Sequence, residues 1–551
     1  MMSLAVVNSC NLLGLQFQHI SVEVHIGPGL PAFNIVGLPD AGVRESRERV
    51  RSAILSSGYD FPAARITINL APADQPKASG RFDLAIALGI LLASGQIISA
   101  GREPSLPDTS NFYFLGELSL TGALLPTPGC LAATLSLVMS HTAQSNASKG
   151  PVFSSTGSGL PTMVVPADNA LQLTKLGFLD IFSAPTLCAV VNHLRAQQPL
   201  VQINADAVNA LQNKGAISEY AEVEVGAPEQ ELQYDLCLSD VRGQTLACQA
   251  LQVAAIGGHS LLMIGPPGVG KSMLAQRLVT LLPPLDSMQQ LEVAAINELY
   301  GATQGNAVFS IGSIPYRAPH HSITRAALIG GGVQPQPGEI SMAHHGVLFL
   351  DEFAEFERSA IEALREPLET GQVLISRSMR HLMFPASFQL VAAMNPCACG
   401  NWGHPKKVCR CAQSARERYL DRVSGPILDR LDICIALSPE SHNYPDLPQA
   451  NSSAALRPRV RQLQHHQYQR QGCLNAHLDN ESLEKYAALC KEGSTILQQA
   501  VQRWHWSTRV IHSLRRLART LADRDDCHLI CPKHVMAALQ LRYALQSDPT
   551  G

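Results

Sequence analysis

The sequence predicts a multidomain chain of α/β and α+β type, with an N-terminal α+β domain, a central parallel α/β core and a C-terminal helical lid. Three observations lead to that class. At 551 residues the chain exceeds what one core serves, at ~150 residues per domain. Its N-terminal part alternates short β-like runs with helical ones, and from Leu236 onward the order becomes strand, glycine loop, helix and strand. From Asn480 to Leu545 helical periodicity takes over.

Composition narrows the setting. A chain that is 46% hydrophobic and 16% charged is globular, neither fibrous nor disordered. The apolar run Leu84 to Ala93 is far shorter than the ~20 residues of a membrane span. Met1 to Leu15 lacks a basic leading region and a small-residue cleavage site, so a cytoplasmic protein without a membrane partner is expected. The net charge of -3 gives no overall attraction to nucleic acid, so contact with DNA would need local basic patches.

The N-terminal domain, 1–205, is marked by β-like runs at Ser21–Ile26 and Arg65–Leu70 and by helical runs at Val43–Ser56 and Phe82–Ala93. The polar, weakly periodic stretch that follows gives a linker at 206–232. The α/β core is expected over 233–445 and the lid over 446–551, with surface loops at Ser140–Gly159 and Pro439–Ser453.

The core carries a phosphate-binding pattern. Ser260 to Ile264 reads as a buried strand, Gly265-Pro266-Pro267-Gly268-Val269-Gly270-Lys271-Ser272 as a glycine loop, and Met273 to Leu282 as a helix. In that context backbone N–H groups turn inward around phosphates, Lys271 reaches the β and γ oxygens, and the Ser272 hydroxyl ligates Mg²⁺. A second buried strand, Val347 to Leu350, ends in Asp351 and Glu352, one carboxylate suited to Mg²⁺ and the other to polarising water. A third ends at Asn395, which either orients that water or caps the turn before Pro396. Arg430 suits transition-state charge on a neighbouring subunit's phosphate, or pairs locally with Asp429 or Asp432. Arg509, in the first turn of a lid helix capped by Ser507 or Thr508, is either a phosphate contact or a solvated helix residue.

Most of the 14 cysteines are scattered, but Cys397, Cys399, Cys409 and Cys411 form two Cys-x-Cys pairs. Four thiolates so spaced, in an insertion at 397–411, suit a structural Zn²⁺; unligated cysteines are the alternative. The loop between them holds Trp402, His404, Lys406, Lys407 and Arg410, either a nucleic-acid contact or a solvated loop. Arg317 and Arg325 in a glycine-rich insertion, and Arg377 and Arg380 in a hairpin-like run, are further candidates to track a phosphate backbone. The pairs His320-His321 and His344-His345 read as polar packing more than as metal ligands.

The runs Tyr316 to Ser322, Gly330 to Gly332, Pro337 to Ser341, Val347 to Glu352, Ala363 to Glu369 and Asn395 to Cys397 resemble the ComM/YifB family of Mg-chelatase-like AAA+ proteins over nearly the whole chain. The resemblance implies a ring-forming, hexameric ATPase using ATP and Mg²⁺, in which Lys271 matches Walker A, Asp351 and Glu352 Walker B, Asn395 sensor 1, Arg430 the arginine finger and Arg509 sensor 2. It implies single-stranded, three-stranded or branched DNA as partner, with recombination proteins as possible further ones, and branch migration in natural transformation as the task. An ATPase that remodels a protein partner, as the chelatase subunit does, is the alternative. The runs Pro76 to Ala85 and Leu115 to Gly122 resemble the Lon protease fold, related to ribosomal S5 domain 2. Asp83 and Leu131 match the positions of its Ser and Lys, so a non-catalytic module is implied. A serine and lysine close in sequence, Ser79 and Lys77, are the weaker alternative.

Overall fold

The computed structural model describes residues 4–38, 41–73, 77, 80–98, 107–145, 161–173, 180–203, 236–301, 313–332, 335–377, 380–404, 406–439 and 449–542. The chain divides into two compact units, Met1–Pro228 with Ser287–Ile311, and Glu229–Asp286 with Gly312–Gly551. The expected linker, 206–232, lies outside the described residues.

In the first unit, alternation along Gln16–Gly27 and Arg65–Ala71 buries Ile20, Val22, Val24, Ile66, Ile68 and Leu70 on one face, the period of two that a half-buried strand requires. These strands are neighbours toward one side of an eight-stranded mixed sheet whose order is Val201–Gln202, Ile181–Ala184, Thr162–Pro166, Phe112–Phe114, Leu4–Leu13, Gln16–Gly27, Arg65–Ala71, Ala32–Val36. The helix Asp83–Ala93 is buried on every side, which is why its sequence reads as a continuous apolar run. It lies so close to the sheet that a Cβ on Gly89 would come within 2.5 Å of Val24 Cγ2. The loop expected at Ser140–Gly159 is replaced at its start by a helix, Cys130–Ser145.

The helix Ser287–Gly301 belongs with this first unit, although it falls inside the span 233–445. Leu291 and Ala295 pack with Cys130, Leu131 and Met163. The Glu298 carboxylate accepts the Cys130 and Leu131 N–H groups, each at 3.1 Å, and so satisfies the start of the helix Cys130–Ser145.

In the second unit, five parallel strands run in the order Tyr316–Arg317, Val347–Leu350, Gln389–Met394, Leu261–Ile264, Ile433–Ala436. The middle three are buried almost throughout, so parallel pairing with both faces covered explains their unbroken apolar runs. A two-stranded hairpin, Gln372–Arg377 with Arg380–Pro385, closes on the pair Arg377 and Arg380. The lid consists of helices Ser453–Gln471, Asn480–Tyr486, Lys491–Trp504, Thr508–Arg524 and Pro532–Gln540, and so starts well before Asn480. Among the described residues no helix is long and apolar enough to cross a membrane.

Candidate nucleotide and metal sites

The nucleotide loop follows the strand Leu261–Ile264. A Cβ on Gly265 would meet the Leu437 carbonyl oxygen at 2.7 Å, and Gly270, at φ +92°, caps the helix Lys271–Val279 in a left-handed conformation that favours glycine. That helix directs its free N–H groups and positive dipole end at the loop. Lys271 Nζ donates to the carbonyls of Gly265 at 2.6 Å and Pro266 at 3.0 Å and to Asn395 Oδ1 at 3.1 Å. Burial lowers its pKa, against the opposing pull of Asp351 and Glu352. Ser272 Oγ donates to Asp351 Oδ2 at 2.6 Å. Adjacent strand tips thus bring together Lys271, Ser272, Asp351 and Asn395, as the sequence predicts for one phosphate and Mg²⁺ site, with Glu352 next to Asp351.

Glu352 sits at φ +54°, a conformation that costs a non-glycine residue of order 1 kcal/mol or more. His321 Nδ1 lies 2.9 Å from Glu352 Oε2, and both residues line a cavity of about 410 Å³ with Ala318, Pro319, His320, Phe349 and Asp351. Sequence reading placed His321 in ordinary polar packing and gave it no role beside Glu352. Its only signal was its place in the run Tyr316 to Ser322.

Both candidate arginines converge on one carboxylate that sequence reading left without a role. Arg430 Nη2 donates to Glu369 Oε1 at 2.5 Å, and Arg509 Nη2 donates to the same oxygen. Arg430 Nη1 also donates to the Pro426 carbonyl at 2.5 Å. The local pairing with Asp429 or Asp432 does not form. Asp429 accepts from Ser507, the cap of the helix Thr508–Arg524, at 3.0 Å, and Asp432 accepts from His259 at 2.9 Å and Ser513 at 2.5 Å. Burial alone would raise the Asp432 carboxyl, but these bonds outweigh it and hold it below the usual carboxylate range. Ser260 Oγ donates to the Arg430 carbonyl at 2.8 Å, and His259 also meets Thr520 at 2.7 Å. The backbone of Arg430 is therefore fixed to the core, and Asp432, two residues on, is held to the lid through Ser513. Two guanidinium groups on one carboxylate leave a net positive charge, which suits an anion.

The cysteine cluster forms. The Cys397, Cys399 and Cys409 sulfurs are 3.4, 3.7 and 3.6 Å apart, and all four ligand atoms including that of Cys411 lie within 4.8 Å of one another. Four thiolates at about 2.3 Å from a tetrahedral ion have sulfurs roughly 3.8 Å apart. Backbone N–H groups of Asn401 and Arg410 lower the Cys399 thiol to about 6, while burial beside other thiols pushes Cys397 up to about 12. A cation among the sulfurs would hold both as thiolates, so the donor set fits a structural zinc.

The basic candidates separate. Arg317 is engaged by Glu339 through two bonds at 2.6 and 2.7 Å, a bidentate ion pair. Arg325, Lys406, Lys407 and Arg410 are exposed. His404 Nδ1 accepts the Lys406 and Lys407 N–H groups at 3.0 and 3.1 Å, and Trp402 stacks under Arg416 at 5.0 Å, so both rings shape the loop. The side chains of Arg377 and Arg380 lie outside the described residues, as does Ser79. At the two positions matching a Lon dyad, Asp83 is buried and accepts from Arg49 Nε at 2.8 Å, and Leu131 is in the core.

A five-stranded parallel sheet with a glycine loop, an acidic strand tip, a polar tip between them and a helical lid defines a P-loop ATPase of the AAA+ type. Family models described as "Magnesium chelatase, subunit ChlI", "Subunit ChlI of Mg-chelatase" and "Magnesium chelatase, subunit ChlI C-terminal" match residues 237–444, 22–146 and 450–542. The chain is 39% identical over 543 residues to the uncharacterized protein YifB of Escherichia coli, covering 98% of this chain and 97% of that one. It is 37% identical over 547 residues to the competence protein ComM of Haemophilus influenzae, covering 98% of each. The 67 kDa magnesium-chelatase subunit of Chlorobaculum parvum is 27% identical over 165 residues, 29% of this chain and 23% of that one. The chain belongs to the ComM/YifB family of Mg-chelatase-like AAA+ ATPases.

Proposed function

We propose that the protein is a cytoplasmic, ATP-driven hexameric motor that migrates DNA branches, promoting integration of incoming single-stranded DNA by homologous recombination in natural transformation. The observation that carries the oligomeric part is the meeting of Arg430 and Arg509 on Glu369. Neither guanidinium bonds to the nucleotide loop of its own chain, which supports a site completed across a subunit boundary, as a head-to-tail ring provides. The name of the competence protein ComM supports the transformation part.

In this reading Lys271 leaves its carbonyl partners to meet the β and γ oxygens of ATP. Ser272 and Asp351 would hold Mg²⁺, which would supply positive charge against the phosphates. Asn395 orients the water, Glu352 takes its proton as it attacks the γ-phosphorus, and the bond to ADP breaks with release of phosphate. Arg430 and Arg509 of the adjacent subunit stabilise charge on the transferring group. The hairpin closed by Arg377 and Arg380, with the exposed Arg325, Lys406, Lys407 and Arg410, would contact the DNA backbone without reading sequence. Cys397, Cys399, Cys409 and Cys411 would hold a structural Zn²⁺. Recombination proteins acting on the same DNA are the further partners.

A second reading has the ATPase remodel a protein partner, and the magnesium-chelatase family models favour it. Stimulation of ATP hydrolysis by branched or single-stranded DNA separates the two: the motor requires it, and the remodeller does not.

A further inference from the structure

We propose that the four-cysteine centre and the nucleotide loop are coupled, so that metal and nucleotide each strengthen the binding of the other; this rests on the reading of the centre as a zinc site. The centre starts two residues after Asn395, whose amide oxygen accepts from Lys271. Gly400, inside the cysteine loop, lies directly on the nucleotide loop: a Cβ there would stand 2.7 Å from Pro267 Cδ and 3.9 Å from Asn395 Cγ, and its φ is +75°. A side chain at position 400 would not fit against Pro267. Gly400 is placed by its own N–H, which donates to the Cys397 carbonyl at 2.9 Å, so the position of a metal ligand sets the position of the contact.

Between Asn395 and the helix Gln413–Leu420, the described residues contain turns and no helix or strand. The sulfur cluster is therefore the main cross-link of this segment, helped by Arg416 over Trp402. A loop closed by a metal loses its order when the metal leaves, because chain entropy is no longer restrained. Gly400 would then withdraw from Pro267, and Asn395 would lose its backing beside Lys271. Coupling between two binding equilibria is reciprocal, so a metal that braces the nucleotide loop must be held more tightly when nucleotide fills that loop.

The test uses the full chain, its zinc content measured first by elemental analysis. Zinc transfer to the chromogenic chelator 4-(2-pyridylazo)resorcinol is followed with and without saturating ADP, and binding of a fluorescent ADP is compared before and after zinc removal. One zinc per chain is expected, with ADP weakening transfer by roughly 5-fold or more and zinc removal weakening ADP binding by a matching factor. Lys271→Ala, which keeps all four cysteines, should lose the protection by ADP. Absence of zinc would remove the metal reading and the coupling with it. One zinc per chain whose transfer is indifferent to ADP would overturn the coupling alone and leave the metal site standing, and protection that persists in Lys271→Ala would overturn it too.

Discussion

At the scale of single residues, the nucleotide site was the most legible part of the sequence, because phosphate binding dictates glycine, lysine and serine at fixed positions and the flanking strand and helix are local. Gly265, Gly270, Lys271, Ser272, Asp351 and Asn395 all meet as that pattern requires. The partners of Arg430 and Arg509 were not legible: Glu369 lies 61 and 140 residues away, and nothing local announces a pair that only tertiary structure makes. The same is true of His321 against Glu352. Roles within the site predict separable defects. Glu352→Gln should bind ATP normally but lose roughly 10²–10⁴-fold in turnover, the usual share of a positioned base, whereas Lys271→Ala should weaken binding as well; binding and turnover measured side by side decide it, and equal loss of binding in both variants would contradict the assignment. Arg430→Ala should keep nucleotide binding and lose most turnover, an arginine finger being worth about 10³-fold or more. Mixing it with Lys271→Ala subunits should restore some hydrolysis at hybrid boundaries, and a mixture that stays inactive would argue against action in trans.

At the scale of elements, the strands of the core were readable because burial on both faces makes them uninterrupted apolar runs. The lid helix Ser453–Gln471 was not, since it is rich in Arg, Gln and His and exposes most of one turn after another, leaving no apolar stripe to find. The helix Ser287–Gly301 was not singled out in the sequence, and its membership of the first unit depends on long-range packing with Cys130 and Met163. Its Glu298 gives a prediction in pH. The backbone amides of the helix start favour the carboxylate, but burial acts more strongly and pushes the carboxyl up to about 7. A carboxyl raised above its unfolded value near 4.5 contributes stability that is complete below that value and is lost as pH rises through about 7. The unfolding midpoint of the first unit should therefore decrease as pH rises from about 4.5 to about 7 and level off above that, and Glu298→Gln should flatten that fall; an unchanged slope in the variant would show that another group carries it.

At the scale of the whole molecule, the class of the chain was legible from sequence because its motifs are long and their order is fixed, and the relatives from Escherichia coli and Haemophilus influenzae cover it nearly end to end. How two compact units share the chain was not, since one returns to the other through Ser287–Ile311. The central claim is that hydrolysis drives movement of DNA, and it is tested most directly by branch migration of a synthetic three-stranded or Holliday-type junction under one salt condition, with ATP and Mg²⁺. The account predicts that wild type moves the junction, that Arg430→Ala binds nucleotide and DNA but does not move it, and that neutralising Arg377 and Arg380 together spares basal hydrolysis while abolishing its stimulation by DNA and the movement. A wild-type protein that hydrolyses ATP robustly yet moves no junction would contradict the account and favour remodelling of a protein partner.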